Sequence, residues 1–196
     1  MKALQIRGGF PLNGSIPISG AKNSALILMA SSLLTSDPLI LSNVPKLADV
    51  DTMTQLLSQL GTEVNWIEDN SLSLKTNQLT THCAPYDLVK KMRASVVVLG
   101  PLVAREGRAK VSLPGGCVLG ARPIDIHLHG LQKMGVTIDL QDGYVTAEAP
   151  LSGLQGAMIT MPVISVTATE NLMMAATLAQ GETILVNAAR EPEVID

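Results

Sequence analysis

The sequence predicts an α/β fold with its layers inverted, helices inside and sheets outside, and three observations lead to it. The first is an internal repeat, in which an apolar helix, a strand, a loop, an amphipathic helix and a return strand follow one another twice and begin a third time. The second is that the apolar helix of each repeat, SALILMASSLL, ASVVVLGPLVA and NLMMAATLA, carries no charge and is apolar or small all round, as a helix enclosed on every side must be. The third is that segments such as 71–75 and 144–148 alternate polar and apolar residues, the signature of strands with one face in water. Composition supplies the material for such a core. Of 196 residues 46% are hydrophobic and 16% charged, and with one Trp, two Tyr and one Phe against nine Met, packing must rest on small aliphatic side chains. A mean hydropathy of +0.30 excludes a disordered chain.

In order, the first repeat reads as a helix over 24–34, a strand over 38–42, the turn Asn43-Val44-Pro45, an amphipathic helix over 50–60 closed by Gly61, and a strand over 63–67. The second has a helix over 92–105, in which Pro101 predicts a kink or an end, then a strand over 109–113 and a Gly-rich loop. A helix over 124–134 closed by Gly135 and a strand over 137–140 complete it. The third runs from a helix over 168–179 through a strand over 183–186 and Asn187-Ala188-Ala189, and stops at Asp196 where its amphipathic helix is due.

Several function classes are disfavoured. Lys+Arg 14 against Asp+Glu 17 leaves a charge of -3, without the basic excess of a general nucleic-acid binder. The longest apolar runs, 25–30 and 95–104, fall short of the roughly 18 to 20 residues that cross a bilayer, so no membrane partner is expected. Residues 1–7 lack the pattern of a secretory signal, which leaves a cytoplasmic location by default. Cys83 and Cys117 form neither a CxxC pair nor a disulfide framework and read as free thiols.

Four places could carry chemistry. Ser19-Gly20-Ala21-Lys22-Asn23-Ser24 leads into the first buried helix, where unpaired N–H groups and the Lys22 charge attract anions; it equally fits a plain N-cap with Asn23 or Ser24 capping, and it is not a Walker loop. Arg93, beside Lys90 and Lys91, abuts a fully apolar stretch and needs a partner, unless the three form an ordinary cationic surface. The loop 113–123 holds Cys117 among glycines with Arg122 close by, an accessible thiol beside a cation that can lower its pKa or hold an anion. Asp125 follows at the loop-to-helix junction, whereas Asp49 and Asp51 read as helix-start carboxylates. His127 and His129, two apart on a helix, point to different faces and read as surface histidines, not a metal site. Cys83 reads as passive.

SGAKN at 19–23, APYDLVKKMRAS at 84–95, GPLVAR at 100–105, LPGGCVLGARPIDIHLHGL at 113–131 and NAAREPEVID at 187–196 together resemble the UDP-N-acetylglucosamine 1-carboxyvinyltransferase (enolpyruvyl transferase) family along the whole chain. The resemblance implies an inside-out α/β barrel domain of repeated units, with the active site in a cleft against a second, similar domain that these residues do not include. Residues 1–20 would join that other domain, and 21–196 would form the first domain with its third repeat incomplete. The implied reaction transfers the enolpyruvyl group of phosphoenolpyruvate to the 3-hydroxyl of UDP-N-acetylglucosamine and releases phosphate, the first committed step of bacterial peptidoglycan synthesis.

By the same resemblance Lys22 and Arg122 hold phosphoenolpyruvate, Asn23 orients the amino sugar and Arg93 helps to bind anionic groups. Arg122, Pro123, Ile124, Asp125 and Ile126, with Val163, Ile164, Ser165 and Val166, contact the nucleotide sugar. Cys117 is the general acid and the thiol that fosfomycin alkylates, while the carboxylate base belongs to the other domain. No metal or organic cofactor is implied. Val163 and Thr167 stand where the family often has Lys and Gly; the lost Lys contact would weaken diphosphate binding without abolishing the chemistry. Two other readings stay open. A shikimate-pathway enolpyruvyl transferase shares the fold but lacks the Gly-Gly-Cys loop and sets its lysine in a GSKS-like context, and a non-catalytic binding module would leave Cys117 unreactive.

Overall fold

The computed structural model describes residues 3–113 and 124–195. Residues 3–20 contain no helix or strand, and their apolar side chains Leu4, Ile6, Phe10, Leu12, Ile16 and Ile18 are all exposed. The first unit then runs α1 (Lys22–Ser31), prolonged by a 3-10 turn (Ser32–Leu34), β1 (Leu39–Leu41), α2 (Ala48–Leu60), β2 (Glu63–Glu68) and β3 (Ser71–Lys75). Its three strands pair antiparallel in the order β1-β3-β2, with Leu39 opposite Leu74 and Val64 opposite Leu74 from the other side.

The second unit opens with β4 (Cys83–Ala84) and the short α3 (Tyr86–Val89), both unforeseen in the sequence. A 3-10 segment (Arg93–Val98) passes into α4 (Leu99–Glu106), then β5 (Arg108–Ser112), α5 (Asp125–Lys133), β6 (Thr137–Gln141) and β7 (Tyr144–Glu148). The sheet order is β4-β5-β7-β6, with β4 parallel to β5. The third unit has β8 (Met158–Thr160), α6 (Val166–Ala176), β9 (Ile184–Val186) and α7 (Pro192–Ile195), with β8 parallel to β9.

The expected helix over 92–105 is thus two pieces. Pro101 neither kinks nor ends α4, because it falls in that helix's first turn, where its missing N–H has no intrahelical acceptor to lose. The amphipathic helices do stop as expected. Gly61 adopts φ 111 and the Thr62 N–H reaches back to the Leu57 carbonyl at 2.9 Å; Gly135 (φ 93) and the Val136 N–H to Leu131 at 3.1 Å repeat the pattern.

Helices lie inside and sheets outside. Met29, Leu33, Leu99, Leu102, Leu172 and Ala175 from α1, its 3-10 extension, α4 and α6 are fully buried in one continuous core. Each leucine so buried contributes roughly 1.5–3 kcal/mol relative to an exposed one. Leu72, Leu74, Val111, Val145 and Ala147 cover that core from the inner sheet faces, while Ile40, Ile67 and Leu140 face outward. Arg105 ties the units together, donating to the carbonyls of Leu33 (2.8 Å), Thr35 (3.1 Å), Thr76 (2.7 Å) and Asn77 (3.2 Å). The described strands form three separate sheets and do not close into a barrel, since no ladder joins one unit's edge strand to the next.

Candidate functional site

Lys22 is the first residue of α1 and Asn23 the second, and both are exposed. The helix begins two residues earlier than the sequence suggested, and Ala21 at its N-cap makes no side-chain capping bond, so neither Asn23 nor Ser24 caps it. The unpaired N–H groups of this first turn and the Lys22 ammonium therefore form an anion-attracting end. The Gly20 N–H binds the Asn43 carbonyl at 3.1 Å, which draws the start of α1 against the loop before α2. There Lys22 Nζ pairs with Asp49 Oδ2 at 2.7 Å. Asp49 is thus more than a helix-start carboxylate: it occupies the lysine proposed to meet an anion.

Both side chains of this pair are about a third or more exposed, so it contributes only about 0–1 kcal/mol to stability. Asp49→Asn is expected to leave the unfolding midpoint almost unchanged and to tighten binding of inorganic phosphate about two- to fivefold, as Lys22 loses its competing counter-ion. Phosphate titration of the variant beside the parent chain checks this; weaker binding by the variant would mean that Asp49 aims Lys22 and does not compete for it.

A second group of residues gathers around the N-terminal ends of α4, α5 and α6. Ile124 is the half-buried N-cap of α5, Asp125 its exposed first residue and Ile126 half-buried. Val163 and Ile164 are exposed, and Ser165, the N-cap of α6, accepts from the Ala168 N–H at 3.4 Å with Val166 beginning the helix. His127, read from sequence as a surface residue, is buried, whereas His129 is exposed. The difference arises because α5 lies close against α6 across Gly130, where any side chain would collide with Leu172. Burial holds the His127 pKa down at about 4.

Two polar residues of α6 escaped sequence reading. Asn171 is fully buried and hydrogen-bonds both His127 and Gly100. Glu170 is also buried, its Oε1 lacks a hydrogen-bond partner among the described residues, and burial, then the charges of Glu193 and Glu191, push its pKa up to about 7. The helix starts at Val166, not 168, which carries Glu170 well inside it; an all-round apolar pattern holds no periodicity that could reveal this.

Arg93 is half-buried at the start of its 3-10 segment and forms no ion pair among the described residues, while Lys90 is taken by Asp87 at 2.7 Å. Cys117, Arg122 and Pro123 lie outside the described residues. No hydrogen bond or ion pair among the described residues joins Lys22 or Asn23 to the α5–α6 group. Among the described residues no helix is long and apolar enough to cross a membrane.

Buried helices under outer sheets in repeated α/β units give this chain the fold of solved enolpyruvyl transferase and EPSP synthase structures. The solved enolpyruvyl transferase NikO of Streptomyces tendae superimposes with a TM-score of 0.80 at 22% identity over 96% of this chain and 44% of its own. An EPSP synthase of Acinetobacter baumannii gives 0.69 at 14% identity over 93% and 42%. The family model for EPSP synthase (3-phosphoshikimate 1-carboxyvinyltransferase) matches residues 6–196, and the chain belongs to that family. It is 56% identical over its whole length to the UDP-N-acetylglucosamine 1-carboxyvinyltransferase of Paracoccus denitrificans, covering 46% of that protein, and 58% identical to the one of Rhodospirillum centenum, covering 48%. The chain spans about half the length of the curated relatives it matches.

Proposed function

We propose that these residues supply one half of a UDP-N-acetylglucosamine enolpyruvyl transferase, acting in the bacterial cytoplasm on the route to peptidoglycan. The observation that carries this reading is the 56–58% identity, along the full chain, to relatives of that name. The shikimate-type neighbours at 14% identity share the fold alone.

In this reading Lys22 and Arg122 grip phosphoenolpyruvate, whose carboxylate and phosphate need cations; each charge-assisted contact contributes about 1.5–3 kcal/mol. The exposed first turn of α1, with Lys22 and Asn23 side by side, suits this role. Asn23 orients the amino sugar, and Arg93, with no ion-pair partner among the described residues, adds charge for the anionic groups. The nucleotide sugar lies along Arg122 to Ile126 and Val163 to Val166.

Cys117 gives a proton to the methylene carbon of phosphoenolpyruvate while the sugar's 3-hydroxyl, yielding its proton to a base outside these residues, bonds through oxygen to the adjacent carbon, forming a tetrahedral adduct. Its carbon–oxygen bond to phosphate then breaks, phosphate leaves with the bonding electrons, and the Cys117 thiolate takes back a methyl proton. Residues 1–20, with their row of exposed apolar side chains, pack on the second domain, and 21–196 form the first.

Phosphate release from phosphoenolpyruvate by the complete gene product, offered UDP-N-acetylglucosamine and shikimate 3-phosphate separately, tests the reading. Turnover with the nucleotide sugar alone, blocked by fosfomycin, is expected. Turnover with shikimate 3-phosphate would transfer the assignment to the sister activity, and none with either would point to a binding module.

A further inference from the structure

We infer that His127, linked to Asn171 and Thr167, is a positioning residue that fixes the two chain segments proposed to hold the nucleotide sugar at a set spacing. The inference rests on the function proposed above and adds residues that it does not use.

The hydrogen-bond network dictates the chemistry of this group. The Gly100 backbone N–H can only donate, so the side-chain atom of Asn171 that meets it at 2.8 Å must be the carbonyl Oδ1. The amide Nδ2 of Asn171 therefore faces the imidazole, 3.0 Å from Nδ1. An amide nitrogen has no lone pair to offer, so Nδ1 must accept and be unprotonated, and the ring proton sits on Nε2. That N–H points to Thr167 Oγ1 at 3.4 Å. A proton on Nδ1 would set two donors face to face, so the ring stays neutral and acts as a strut.

Position gives the strut its role. His127 directly follows Ile126, and Thr167 directly follows Val166, so the imidazole bridges the ends of both proposed binding segments. Asn171 anchors the bridge on α4 as well. The approach there is so close that a methyl group on Gly100 would collide with the Asn171 carbonyl and Oδ1. Three helix starts are thereby held in one arrangement by side chains outside the two proposed binding segments.

The test separates positioning from folding. His127→Asn keeps an acceptor near Nδ1 for Asn171 but cannot reach Thr167, and Thr167→Val removes only the hydroxyl. In the complete gene product both are expected to raise the KM for UDP-N-acetylglucosamine about three- to tenfold. The kcat and the KM for phosphoenolpyruvate should stay within about twofold. Thr167→Ser should restore the parent KM, the double variant should be no worse than Thr167→Val alone, and nitrogen NMR of the parent should find Nε2 protonated and Nδ1 bare at neutral pH. An active parent whose two variants keep its KM overturns this inference and leaves the proposed function standing. A folded parent that turns over no UDP-N-acetylglucosamine overturns the functional reading and this inference together.

Discussion

Cys117→Ser is expected to lower turnover of the complete gene product about a thousandfold, within the 10²–10⁴ range of a lost general acid, with unfolding unchanged. The cause is acidity. A thiol ordinarily titrates near 8.5, so it can hand a proton to carbon and take one back; a serine hydroxyl is far too weak an acid. Cys117→Asp keeps a group that can donate a proton, so it is expected to retain much of the activity and to escape fosfomycin, having no sulfur to alkylate. The measurement is phosphate release by parent and both variants, with and without the antibiotic, and mass spectrometry for the adduct. A serine variant with parental kcat would remove Cys117 from the proton transfer. An aspartate variant that is inactive yet folded would make the thiol's role nucleophilic instead.

What the sequence displays well here is whatever repeats locally. The turn Asn43-Val44-Pro45 and its counterpart Asn187-Ala188-Ala189 follow equivalent strands, and both asparagines adopt the left-handed conformation, at φ 56 and 61, a geometry that Asn tolerates better than most residues. Gly61 and Gly135 end the amphipathic helices by the same local rule. Burial that depends on a distant partner is hidden. His127 and His129 are alike as residues in an HxH pair, and only the approach of α6 across Gly130 sends one inward and leaves the other in water.

The run Ser95-Val96-Val97-Val98 is uncharged and small or apolar throughout, so its period cannot distinguish 3-10 from α-helix. Lys22 and Asp49 are 27 positions apart, and nothing in either segment alone announces their ion pair. Family motifs nominated Cys117, Lys22 and Arg122 as site residues without geometry, and Cys117 and Arg122 lie outside the described residues. The motifs did not disclose the carboxylate that holds Lys22, nor the two polar residues inside α6.

Two buried titrating groups, His127 of α5 and Glu170 of α6, set opposing pH dependences on stability, and removing either should expose the other. His127 titrates near 6.5 when unfolded and about 4 when folded, so the unfolded chain binds more protons between those values. Its contribution is complete above pH 6.5 and is lost as pH falls toward 4, a change of about 3 kcal/mol. Glu170 moves the other way, from 4.5 unfolded to about 7 folded, so the folded chain binds more protons. Its contribution is complete below pH 4.5 and is lost as pH rises through 7, by about 2–3 kcal/mol. Between pH 4.5 and 6.5 the two slopes nearly cancel.

Glu170→Gln keeps the shape and removes the charge, so its stability relative to the parent should be smallest at pH 4.5 and climb by about 2–3 kcal/mol by pH 7.5. His127→Asn loses packing at every pH, but its deficit should shrink by about 3 kcal/mol as pH falls from 6.5 to 4. Urea unfolding of parent and variants at several pH values between 4 and 7.5 reads both differences, and using differences removes the titration of every other group. Curves parallel to the parent for Glu170→Gln would mean that a cation compensates the carboxylate in the folded protein. Parallel curves for His127→Asn would mean that the imidazole is reached by water.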